Sequence, residues 1–126
     1  MQTACPCGKP ATYAACCGRF IDGNVNPASA LELMRSRYSA YALEKSAYLL
    51  ATWHPSTRPP DLGFEAPRPR WLGLDIRAAT QQDETHAGVE FVAHYKISGR
   101  AQRLHERSRF VLESGRWRYL DGDSIT

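Results

Sequence analysis

The chain reads as an α+β fold, helices first and antiparallel strands after, behind a short cysteine-rich head. Three observations carry this. All four cysteines fall within the first seventeen residues, as Cys5-Pro6-Cys7 and Cys16-Cys17. Between residues 31 and 53 apolar positions recur at three-to-four spacing, the period of a helix with one buried face. From Leu72 onward they alternate instead, and strands that follow a block of helices build an antiparallel sheet with the helices laid across one face. A length of 126 residues with a hydrophobic share of 43% suits one core, burying roughly two-thirds of the surface the unfolded chain exposes. Two parts are expected: a knuckle over residues 1–21 and an α+β domain over 22–126.

The head comes first. Its spacing is C-x-C-x8-C-C, two short cysteine pairs joined by a loop. Zinc takes four thiolates tetrahedrally at about 2.3 Å each, and paired cysteines in a small segment supply them. Neighbours in sequence are badly disposed for an unstrained S–S bond, so Cys16–Cys17 and Cys5–Cys7 bridges are disfavoured. A structural zinc on Cys5, Cys7, Cys16 and Cys17 is the expectation; cross-paired disulfides or free thiols are the alternatives. Four cysteines close the coordination sphere, whereas catalytic zinc keeps one position for water. Loss of the metal is expected to melt residues 1–21 and leave the α+β domain folded.

Asp22-Gly23-Asn24-Val25-Asn26 is a turn-rich connection. Two helix starts compete after it: Asn26 capping with Pro27 at the first position, and the capping box Ser29-Ala30-Leu31-Glu32. Leu31, Met34, Tyr38, Tyr41 and Ala42 then form the apolar stripe, flanked by Arg35 and Arg37. A second helical piece, Ala47 to Trp53, stops before His54-Pro55, where proline disfavours continuation. Five prolines at 55, 59, 60, 67 and 69 make a stiff extended loop that wraps part of the fold. Strands follow at Leu72/Leu74/Ile76, at Val89/Phe91/Ala93/Tyr95/Ile97, at Phe110/Leu112 and at Trp117/Tyr119.

Cys5-Pro6-Cys7-Gly8, Tyr13 and Cys16-Cys17-Gly18-Arg19-Phe20-Ile21 resemble the SEC-C zinc motif of the translocation ATPase SecA. With Met34 to Tyr41, Thr52 to Pro59 and His105 to Phe110, nearly the whole chain resembles the YchJ family of bacterial proteins. The resemblance implies that residues beyond the knuckle adopt the cone-shaped fold of the nuclear transport factor 2 family. It also implies recruitment of a protein or ribosomal partner through the knuckle. One departure is visible: the SEC-C loop usually reads Gly-Ser-Gly-Lys with further lysines, and here it reads Gly8-Lys9-Pro10-Ala11-Thr12.

A two-residue turn at Ser114-Gly115 sets a register in which Glu113 faces Arg116, Leu112 faces Trp117, Phe110 faces Tyr119 and Ser108 faces Asp121. Alternation then puts Phe110, Leu112, Trp117 and Tyr119 on the core face, and carries Glu106, Ser108 and Asp121 onto it too. Polar residues on a helix-covered face need partners, because a bare buried carboxylate costs several kcal/mol. The candidates are Arg35 or Arg37, Tyr38 and Tyr41 from the helix, with His54 or His105 from the rim. The result is either a buried ion-pair network or a polar pocket for a small molecule at the open end of the cone. As an active site it would use Glu106 or Asp121 as general base with an arginine beside it. The opposite face receives Arg107, Arg109, Arg116 and Arg118, a basic solvent face or a partner surface.

The formal charge of +3 falls to about +1 once a dication is held by four thiolates, which argues against a nucleic-acid partner. No apolar run approaches the ~20 residues of a membrane span, and no secretory leader pattern is present, so the cytoplasm is the default expectation. Neither a G-x-S-x-G elbow nor a glycine-rich phosphate loop occurs. Two functions remain, a protein-recruiting zinc module and a small-molecule binder or enzyme.

Overall fold

The computed structural model describes residues 3–62, 64 and 67–125. Its elements are α1 (Gly18–Ile21), α2 (Ala30–Ala42), α3 (Ser46–Ala51), β1 (Arg70–Gln81), β2 (His86–Ile97), β3 (Arg100–Glu113) and β4 (Arg116–Ser124). The four strands form one open antiparallel sheet in the order β1-β2-β3-β4. Helices precede strands, as the periodicities require.

The capping box settles the start of α2. Ser29 accepts from the backbone N–H of Glu32 at 3.1 Å, and the Glu32 carboxylate reaches back to the N–H of Ala28 at 3.4 Å, so orphan donors of the first turn are satisfied. At the other end Glu44 takes φ 57° and Lys45 N–H returns to Ala40 C=O at 2.8 Å, the left-handed closure that ends many helices. Leu33, Met34 and Tyr38 of α2 pack with Val89, Phe91, Ala93, Phe110 and Trp117 of the sheet. Each fully buried side chain of this size contributes about 1.5–3 kcal/mol.

Two turns of identical chemistry set the meander. Ser114-Gly115 has φ of 51° and 75°, and Ser98-Gly99 between β2 and β3 has 51° and 79°. Positive φ at both central residues matches the right-handed twist of the flanking strands. The pairs Glu113–Arg116, Leu112–Trp117 and Phe110–Tyr119 stand as the turn predicts.

Beyond Tyr119 the expected register fails. A bulge at Leu120 pairs Arg109 with Asp121 and Ser108 with Gly122. One inserted residue moves everything after it to the other face, so Asp121 leaves the core side. The Leu120 carbonyl freed by the bulge accepts from the Thr57 hydroxyl at 2.5 Å. A second bulge lies between Trp71 and Gly73. It puts Trp71 on the inner face, 5.6 Å from Tyr38 and 5.2 Å from Tyr95 between ring centroids, and leaves Leu72, expected to alternate with Leu74, 50% exposed.

The proline-rich stretch does wrap an edge. Backbone bonds His54 N–H to Tyr119 C=O at 2.7 Å and Tyr119 N–H to Thr52 C=O at 2.8 Å lay its beginning along β4, covering part of an edge that would otherwise offer unpaired groups. Residues 63, 65 and 66 of that stretch lie outside the described residues. Among the described residues no helix is long and apolar enough to cross a membrane.

Candidate functional site

The knuckle is folded by short-range bonds. Ala4 and Thr12 form an isolated antiparallel bridge, Cys5 N–H donates to Ala11 C=O at 3.0 Å and Tyr13 N–H to Thr3 C=O at 2.8 Å. This brings Cys5 and Cys7 onto one tight loop. The second pair leads directly into α1, where Gly18 N–H donates to Tyr13 C=O at 2.8 Å. A Cβ on Gly18 would stand 2.7 Å from that carbonyl oxygen, so the approach needs glycine. Tyr13 closes the other side through its hydroxyl to Asp22 at 2.9 Å.

The four sulfurs lie within 4.8 Å of one another and all four residues are buried; Cys7 and Cys16 are 3.6 Å apart. A disulfide needs about 2.05 Å, while a tetrahedron with 2.3 Å arms has edges of about 3.8 Å. The donor set therefore fits a tetrahedral metal ion. Among the sulfurs, Cys7 is pushed down to about 4, chiefly by a hydrogen bond from Cys17, while burial opposes and the Lys9 N–H helps. Cys17 is driven far up by that same bond and by burial, and burial raises Cys16 to about 11. A dication reverses this, since ligand thiols must lose their protons to bind it.

Helix α2 supplies the surroundings. Ser39, fully buried, stands 3.6 Å from Cys5 Sγ. Arg35 donates to the Cys7 carbonyl at 3.2 Å. Arg35 is thus a neighbour of the cysteine cluster and does not line the interior pocket for which it was a candidate, because it turns to the opposite flank of α2 from Arg37.

That pocket exists, as a cavity of about 240 Å³ between α2 and the inner sheet face. Of the expected residues it contains Arg37, Tyr38, Tyr41, Glu106 and Ser108, joined by Met34, Trp71, Phe91, Ala93, Leu104 and Tyr119. Arg37 is 3% exposed, donating from Nη1 to Leu49 C=O at 2.8 Å and Thr52 Oγ1 at 2.7 Å. Its guanidinium also lies over the rings of Trp53 and Tyr119, at 5.0 and 4.6 Å. Burial lowers its pKa, with nearby tyrosines and Glu106 opposing. Glu106 accepts from Ser108 at 2.6 Å and from the Tyr119 hydroxyl at 3.5 Å. Gly122 faces Ser108 beside it, and a Cβ there would lie 2.6 Å from Glu106 Oε2.

Other expected members are elsewhere. Asp121, turned outward by the bulge, pairs with Arg109 at 2.6 Å. His54 donates through Nε2 to Glu113 at 2.7 Å while its Nδ1 accepts from Ser56 N–H at 3.1 Å; the chain after α3 follows β4 and carries it away from the cavity. No Arg37–Glu106 salt bridge forms among the described residues, so a direct ion pair is not what holds helix on sheet there.

The expected basic face divides. Arg107 pairs with Glu90 at 3.3 Å, and Arg109 with Asp121 and with Asp123 at 2.7 Å. Arg116 and Arg118 instead line a groove of about 440 Å³ with Phe20, Ile21 and Asn24 to Pro27 from the knuckle side, Ala47, Tyr48, Ala51 and Thr52 around α3, and Trp117. Among the described residues these two arginines form no salt bridge.

Residues 29–122 match the family model described as YchJ, middle NTF2-like domain. The chain belongs to the YchJ family. A UPF0225 protein of Ralstonia nicotianae is 60% identical, over 95% of this chain and 90% of that protein. One of Bordetella parapertussis is 57% identical, over 95% and 92%. The solution structure of a SEC-C motif containing protein from Rhodopseudomonas palustris superposes with a TM-score of 0.85 at 33% identity, covering 97% of this chain and 98% of that one. A crystal structure of a SEC-C motif containing protein from Psychrobacter arcticus gives 0.80 at 31%, covering 97% and 82%. The YchJ chain therefore combines an NTF2-like α+β domain with cysteines placed for metal binding.

Several members of these sites escape a reading of the YchJ sequence as alternating core. Tyr119 appears there only as a core-face residue, and neither Trp71 nor Ser39 is singled out. The signal for Ser39 was its position four residues after Arg35, on the same helix face.

Proposed function

We propose that this YchJ protein is a protein-interaction module whose knuckle is stapled by a structural zinc ion on Cys5, Cys7, Cys16 and Cys17. Its docking groove takes an acidic protein segment. The observation that carries the reading is the contrast among the four arginines: Arg107 and Arg109 are neutralised within the fold, while Arg116 and Arg118 bring uncompensated charge to a groove walled by knuckle and α3. Arginine's planar fork suits carboxylate recognition, and the exposed Val25 and the groove's apolar wall suit an interleaved leucine or phenylalanine. The four-thiolate set favours zinc over harder cations, and a closed buried site favours a structural role.

Native mass spectrometry of purified protein should show one zinc that chelation removes. Fluorescence anisotropy with a labelled Asp/Glu-rich peptide carrying interspersed leucines should then show binding that weakens with salt. The double variant Arg116→Glu with Arg118→Glu should lose about tenfold or more, and Arg107→Glu with Arg109→Glu much less. Equal losses from both pairs, or no peptide binding, would refute the groove; a different metal or none would refute the zinc.

A further inference from the structure

The interior cavity is independent of that groove, and its chemistry points to a ligand of its own. We infer that it binds a small, flat, net-neutral molecule that presents an N–H donor beside a carbonyl acceptor, as a cyclic amide does.

The charges argue first. Arg37 and Glu106 line the same cavity, so one cationic and one acidic side chain face the same space. Glu106 is near enough to act on the Arg37 guanidinium, yet no salt bridge joins them among the described residues. A molecule entering between them meets a site with no net charge. A charged ligand would pair with one of these groups and repel the other, so neutral ligands are favoured.

Hydrogen bonding sets the functional groups. Glu106 Oε2 is occupied by Ser108 and Tyr119, whereas Oε1 has no partner among the described residues and offers an acceptor. The opposite side, with the Arg37 guanidinium and the Tyr41 hydroxyl beside it, offers donors. A ligand that donates toward Glu106 and accepts from the Arg37 side satisfies both. An N–H adjacent to C=O places that pair on one edge of a ring.

Shape supplies the rest. Trp71 is held edge-on by Tyr38 and tilted against Tyr41 at 6.2 Å, giving rigid aromatic walls against which a planar ring stacks or packs edge to face. At 240 Å³ the cavity is below the roughly 300–1,000 Å³ of drug-sized sites, which limits the ligand to one or two fused rings.

The test is an NMR titration of the full-length, metal-loaded protein, following the Trp71 indole N–H. The probes are isoquinolin-1(2H)-one, benzoate and benzylamine. The cyclic amide should shift Trp71 and bind at least about tenfold tighter than either charged probe, the difference between a good and a failed charge-assisted hydrogen bond. Glu106→Gln should weaken the amide and strengthen benzoate, because the cavity then carries the unbalanced Arg37 charge. Gly122→Ala, whose new methyl displaces the Glu106 carboxylate, should weaken the amide independently. A charged probe preferred by the unaltered protein, shifts confined to residues away from Trp71, or an unchanged benzoate affinity in Glu106→Gln would overturn the inference.

Discussion

The knuckle and the sheet of this YchJ protein are held by different physics. The knuckle brings four sulfurs within 4.8 Å of one another through a single isolated bridge, a few turn hydrogen bonds and a four-residue helix. The four cysteines also pack into the core cluster with Ala30, Leu33, Met34 and Tyr38, but so little regular structure leaves much of the backbone entropy of ordering it unmet, a difference the proposed metal site would supply. The sheet has strands of nine to fourteen residues with an apolar inner face, and stands on hydrogen-bond ladders and burial. Local sequence therefore determines the one, and long-range register the other. Helix α2 belongs to both: Arg35 and Ser39 meet the knuckle while Arg37 and Tyr38 face the cavity.

The largest effect separates the two regions outright. If the proposed zinc is bound, Cys16→Ser or chelation removes a binding free energy that in zinc peptides is of order 10 kcal/mol. Hydrogen exchange should then show residues 3–21 losing protection while the amides of β2 and β3 keep theirs; loss of sheet protection at the same chelator concentration would break the comparison. Phe110→Ala acts in the reverse direction. Truncating this fully buried ring should lower the denaturant midpoint of the sheet by the equivalent of about 3–5 kcal/mol with zinc content unchanged.

The smallest effect lies on the outer face. Glu90 is held below its ordinary value of 4.5 by hydrogen bonds from His105 and then Arg107, and Asp123 below 3.8 by Arg109. A carboxylate whose pKa falls on folding adds stability above its unfolded pKa and loses it as pH drops through the folded value. Urea midpoints of the chelated protein should decline as pH falls below about 4.5, where these carboxylates begin to take up protons. Glu90→Gln should shallow that decline; an unaltered acid limb would remove Glu90 from the account.

The same contrast explains what could be read in advance. The cysteine cluster, the Ser29 cap and the Ser114-Gly115 turn depend on neighbours in sequence, and each was legible. Inner-face placement of Glu106 and Ser108 followed from the turn by simple alternation. Asp121 was misplaced because alternation cannot count a bulge, although the signs were present: Trp71-Leu72-Gly73 and Tyr119-Leu120-Asp121-Gly122 each put two apolar residues in succession before a nearby glycine, a combination that breaks a period of two. His54 and Arg35 were misplaced for another reason. Sequence gives a helix its faces and a loop its stiffness, but not which element each meets. The division of the arginines was hidden for the same cause, since it depends on Asp121 and Asp123 arriving outside.

Gly122 ties two distant letters of the chain together. Because even a methyl group there would intrude on the Glu106 carboxylate, position 122 acts as a permission for an acid at 106. Across descendants of this sequence the pair should drift jointly: lineages that acquire alanine or serine at 122 should trade glutamate at 106 for a shorter or neutral residue, and a saturation library should recover the two changes together more often than chance.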